Sequence, residues 1–107
     1  MKLIDIKKVD DCFDGSVIFQ YAFDREINER LMEKVGKKGT IQYYPEFLRP
    51  FFKIVTADGL QVKGTIGNTK FEVIYPNTDK QGKKINFETL LKKYLGELGC
   101  DQSSISR

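Results

Sequence analysis

The sequence predicts an α+β domain: an antiparallel sheet of about five to six strands with two helices packed on one face. Three observations carry that expectation. Short runs alternate apolar and polar residues, the two-residue period of a strand wet on one side. Turn dipeptides, Asp14-Gly15, Asp58-Gly59 and Gly67-Asn68, fall between those runs, where a hairpin needs residues that tolerate positive φ. Only two segments carry apolar residues at the three-to-four spacing of a helix, one after residue 24 and one after residue 86. The resulting order is β-β-α-β-β-β-β-α.

Each element has its own signal. "LIDIKKVDDCFDGSVIFQYAF" reads as two strands around Asp14-Gly15, and in the second Val17, Phe19, Tyr21 and Phe23 alternate with Ile18, Gln20 and Ala22. "DREINERLMEKVGKKG" reads as a helix capped by Asp24 and ended by Gly36, with Ile27, Leu31 and Val35 on one stripe. The Thr40 to Tyr44 stretch and the Phe51 to Thr56 stretch read as strands separated by a Pro45-to-Pro50 excursion, because proline cannot donate a ladder hydrogen bond. "FFKIVT-ADG-LQVKGTI-GN-TKFEVIY" then reads as consecutive hairpins, with Leu60, Val62, Ile66, Phe71, Val73 and Tyr75 inward and Lys63, Lys70 and Glu72 outward. "PNTDKQGKKIN" reads as a polar loop. Asn86 is expected to cap a final helix whose face is Phe87, Leu90, Leu91, Tyr94, Leu95 and Leu98, with Glu88, Lys92 and Lys93 outside it and Gly99 as its stop. Residues 1–100 are thus expected to form one domain and 101–107 a flexible tail.

A chain of 107 residues with 40% hydrophobic and 31% charged side chains can bury a core without metal or disulfide staples. The apolar runs are too short to span a bilayer, and acidic residues enter the first segment too early for a secretory signal. A cytoplasmic protein is expected. Cys12 and Cys100 are then expected to be free thiols rather than a disulfide. Net charge is +3, unevenly spread. Residues 1–33 hold five basic and eight acidic side chains, residues 34–53 five and one, and residues 80–93 five and one.

Several chemistries are excluded. The chain has no histidine, which removes Ser-His-Asp and Cys-His catalysis and Cys/His zinc sites. Neither glycine-rich phosphate-loop pattern occurs. Asp10, Asp14 and Gly15 match part of a calcium loop, but Cys12 and Tyr21 stand where that loop needs ligands, so a hairpin turn accounts for them. Cys12 lies among Asp10, Asp11 and Asp14, which disfavour a thiolate. Glu29 and Glu33, near Arg25 and Arg30, read as a solvated helix face. No catalytic residue, metal site or cofactor is expected, although acid–base work by carboxylates, lysines or tyrosines needs no motif.

"IQYYPEFLRPFFKI", residues 41–54, places aromatics on both faces of its strands, more than a half-wet sheet needs. Two readings follow. Phe47 and Leu48 can fold back over the sheet end and act as packing. Alternatively Tyr44, Phe47, Arg49 and the adjacent Phe51 and Phe52 form a protein-binding patch, since aromatics and arginine are enriched at interface hot spots. The second reading makes a protein partner or self-association the expected function. The alternative partner is nucleic acid, held by Lys37, Lys38, Lys83, Lys84, Lys92 and Lys93 if the two basic windows converge.

Overall fold

Glycines close the hairpins. A computed structural model describes residues 2–37, 39–46 and 48–105, the last nine as backbone alone. Strand β1 (Leu3–Asp11) turns into β2 (Val17–Phe23) where Gly15, at φ +88°, donates its N–H to Cys12 O at 3.0 Å. Strand β4 (Phe51–Thr56) turns into β5 (Gln61–Thr65) the same way, through Gly59 at φ +88° and its N–H on Thr56 O at 3.0 Å. Both are tight turns followed by a left-handed glycine, which suits three-residue hairpin loops. Between β5 and β6 (Lys70–Tyr75), Gly67 at φ +94° takes the third position of a turn closed by Asn68 N–H on Thr65 O. Ile66 and Gly67, rather than Gly67 and Asn68, therefore occupy the centre of that turn.

With β3 (Gly39–Tyr44) the strands form one antiparallel sheet in the order β1-β2-β6-β5-β4-β3. The expected fold class and element order are those of the structure. The register sorts side chains into two faces. One cross-strand row runs Tyr43, Phe52, Gly64, Phe71, Tyr21, and the next runs Ile41, Ile54, Val62, Val73, Phe19. These rows carry the core. Gly64 is glycine because the rings beside it need the space: a Cβ there would lie 2.7 Å from Phe52 Cζ and 2.9 Å from Phe71 Cβ. On the opposite, wetter face the rows are Gln42, Lys53, Lys63, Glu72, Gln20 and Tyr44, Phe51, Thr65.

Helix α1 (Glu29–Val35) carries the chain across the core face from β2 to the far edge at β3, and buries Leu31, Met32 and Val35. Its cap is Asn28, whose carboxamide accepts from Leu31 N–H at 3.0 Å. Asp24, the expected cap, instead accepts from Lys2 N–H at 2.7 Å, a contact fixed by strand neighbours and not by helix chemistry. Helix α2 (Lys80–Ile105) buries Phe87, Leu91 and Leu95 against the same core. It begins before Asn86 and runs through Gly99, so the 80–86 stretch is helix and not loop. Asp79, at φ 51°, precedes it and accepts Lys83 N–H at its carbonyl. The side chain of Leu98 lies outside the described residues. Among the described residues, no helix is long and apolar enough to cross a membrane.

The two sheet edges differ. β1 is interrupted by register shifts between Leu3 and Asp5 and between Lys8 and Asp10, and it carries Asp5, Lys7, Lys8, Asp10 and Asp11. Bulges and charges are the usual devices that keep an edge strand from pairing with another chain. β3 has neither. Its pairing with β4 is continuous from Gly39↔Thr56 to Tyr44↔Phe51, and every residue in it is uncharged.

Candidate functional site

The residues singled out in the 41–54 stretch separate on folding. β3 and β4 are the last two strands of the sheet, so the 45–50 loop joining them lies at its edge, as the two prolines require. Antiparallel connection puts this loop and the β5–β6 turn at one end of the sheet. Backbone hydrogen bonds stitch that end together: Ile66 N–H to Pro50 O at 2.8 Å, Gly67 N–H to Ile27 O at 2.9 Å and Ile27 N–H to Asn68 O at 2.7 Å. The loop therefore stands on an anchored base.

At the tip Leu48 is fully exposed (101%), and Arg49 is exposed beside it. Leu48 does not fold back over the sheet end, so packing does not account for it. Phe47 lies outside the described residues. On the wet face below, the half-buried rings of Tyr44 and Phe51 stack with centroids 6.0 Å apart and planes 24° from parallel. Phe52 departs from this group. It follows Phe51 in a strand, points to the opposite face and is 1% exposed in the core. Alternation alone removes it from any contact surface. Tyr44, Leu48, Arg49 and Phe51 remain, next to the uncharged β3 edge. Tyr43, on the core face of that strand, is tied to α1 by its hydroxyl, which donates to Glu29 at 2.7 Å. That bond to a carboxylate raises the Tyr43 pKa above its ordinary value.

The lysines do not gather in the same way. On α2, Lys83 and Lys92 are nine residues apart, as are Lys84 and Lys93, and nine residues are two and a half helical turns. Each pair thus faces opposite sides of the helix. Lys84 is also engaged, 2.7 Å from Glu88 and 4.7 Å above the Phe19 ring. Lys37 follows the C-terminal end of α1, and Lys38 lies outside the described residues.

A second polar constellation sits in the core and was not visible in the sequence. Tyr21 and Tyr75, both 0% exposed, meet through their hydroxyls, and Tyr21 donates to Glu88 Oε2 at 2.9 Å. With that proton committed, Tyr75 donates to Tyr21, and the chain runs Tyr75, Tyr21, Glu88, Lys84. Glu88 was expected on the solvent face of the helix; the tyrosine draws it inward, and Lys84 compensates its charge. Burial raises both tyrosine pKa values well above 10.0, with the neighbouring Tyr75 hydroxyl and then Glu88 adding to the shift at Tyr21. The group is satisfied and closed, with no room for a substrate between its members.

Other places offer less chemistry. A cleft of about 210 Å³ lies between the end of α1, the β4–β5 turn and α2, with Leu60, Phe87 and Leu90 in its wall and Thr56, Asp58, Asn86 and Tyr94 as its polar groups. It is smaller than the usual range of ligand pockets. Asp14 accepts from Ser16 N–H at 3.0 Å and Ser16 Oγ at 2.6 Å, and these bonds lower its pKa. The residue thus serves the β1–β2 turn. Cys12 is a half-buried free thiol. Among the described residues, no group of three histidine, cysteine, aspartate or glutamate side chains is placed to hold a metal ion. No family model, curated protein or solved structure matches the chain.

Proposed function

We propose that this is a small binding or accessory domain that works through protein contact, at the β3 edge and the rim formed by Tyr44, Leu48, Arg49 and Phe51. The contrast between the two sheet edges carries the reading. β1 is bulged and charged, while β3 is regular and uncharged and continues into a fully exposed leucine and an arginine. An unguarded edge supplies backbone hydrogen bonds to an incoming strand, and the adjoining side chains supply specificity. A cytoplasmic setting goes with this reading, in keeping with the free Cys12 thiol.

The test is a variant carrying Tyr44→Ala, Leu48→Ala and Arg49→Ala together. Its unfolding free energy should stay within about 2 kcal/mol of the wild type, because Leu48 and Arg49 are exposed and Tyr44 is only half-buried. Partner capture or self-association should be lost. Unfolding of the variant, or undiminished association, counts against a contact surface at this rim.

A further inference from the structure

We infer that the partner at the β3 edge is a second copy of this chain, paired antiparallel through β3 so that Gln42 faces Gln42 across a two-fold axis. The inference rests on the protein-contact reading and specifies its partner. Among the described residues, no backbone hydrogen bond reaches the outer side of residues 40–43. Half the amide and carbonyl groups of an edge strand point outward, and in an antiparallel pair they can satisfy those of an identical strand.

The strand is compatible with itself. Pairing about Gln42 sets Thr40 against Tyr44 of the second copy and Ile41 against its Tyr43. No like charges meet, and both combinations are β-branched against aromatic, a favourable class of cross-strand neighbours. The same register pairs residues of like face, so the two core faces continue side by side and the helices of both copies stay in one layer. Beyond the strand end, the register carries Glu46, the one acidic residue of the 34–53 window, towards the turn that holds Lys37 of the second copy. Both residues are exposed and of opposite charge. The β1 edge cannot do the same, because its bulges break the register that a second strand would need. A closed two-fold pair also uses each β3 edge once and leaves only guarded β1 edges outside.

The experiment is sedimentation equilibrium of the full chain from micromolar to millimolar concentration, with Gln42→Lys, Gln42→Glu and an equal mixture of the two. The wild type should form a dimer. Each variant alone places like charges on the axis and should raise the dissociation constant about fivefold or more, while the mixture should recover association as a heterodimer. Gln42 is exposed, so circular dichroism should show both variants folded. If a variant does not fold, the wild-type series decides alone. A wild type that stays monomeric throughout overturns the proposal, as do folded variants that dimerise like the wild type. A monomeric wild type that still loses capture of a different protein on changing Tyr44, Leu48 and Arg49 removes the second copy alone and leaves the contact reading standing.

Discussion

Phe52→Ala is expected to lower the unfolding free energy by about 3–5 kcal/mol, the usual loss when a buried phenylalanine is truncated and its cavity does not collapse. Phe52 is 1% exposed, and its ring tip occupies the space that Gly64 leaves open between β4 and β6. Deleting the ring leaves a void over Gly64, which has no side chain to fill it. A domain of this size has about 5–15 kcal/mol in total, so the variant should be marginal at room temperature. Urea unfolding followed by circular dichroism measures the loss. Phe51→Ala, one residue away on the wet face and half-buried, should lose far less. Equal losses would mean that the two phenylalanines are not sorted by face.

The second large effect is alkaline destabilisation. In the unfolded chain Tyr21 and Tyr75 ionise near 10.0, and in the folded chain burial holds both hydroxyls well above that value. Between the two values the unfolded state has released protons that the folded state retains. Stability is therefore complete below pH 10 and falls as pH rises beyond it. Each retained proton contributes a slope of about 1.4 kcal/mol per pH unit. Tyr75→Phe removes one of the two groups and leaves Tyr21 its acceptor on Glu88. The variant should lose stability more gently above pH 10, by about 1.4 kcal/mol less per pH unit. Urea midpoints at several alkaline pH values compare the two slopes. Identical slopes would show that Tyr75 ionises freely in the folded protein.

The element order was legible because its signals are local. Gly15, Gly59 and Gly67 each take the positive φ that their turns require, and strand alternation sorts Val62, Phe71, Val73 and Tyr75 inward as read. The start of α2 was not legible, because "KQGKK" carries no apolar residue to mark a buried face, and Gly82 argues against helix. The caps of α1 were ambiguous for a different reason. Asp24 and Asn28 are both good capping residues, and tertiary contacts decide between them: Lys2 engages Asp24, and the Ile27 backbone bonds to Asn68 and Gly67. Tyr44, Arg49 and Phe51, singled out by residue type, lie together at the rim, whereas Phe52 was included although alternation turns it away. Tyr21, Tyr75 and Glu88 left no local mark, since the link between residues 21 and 75 depends on β2 pairing with β6. Strand order is set by long-range contacts, and the difference between the β1 and β3 edges follows from it.

Hydrogen exchange at the two sheet edges, followed by mass spectrometry from dilute to concentrated protein, tests most directly whether the domain works through contact at β3. At low concentration the outward amides of residues 40–43 should exchange quickly, since no described backbone acceptor covers them. On association they should become protected together with the 45–50 loop, while β1 should be unchanged because its bulges and charges exclude a second strand. Protection that appears on β1, or exchange in β3 that stays the same at every concentration and with every partner added, would contradict the account.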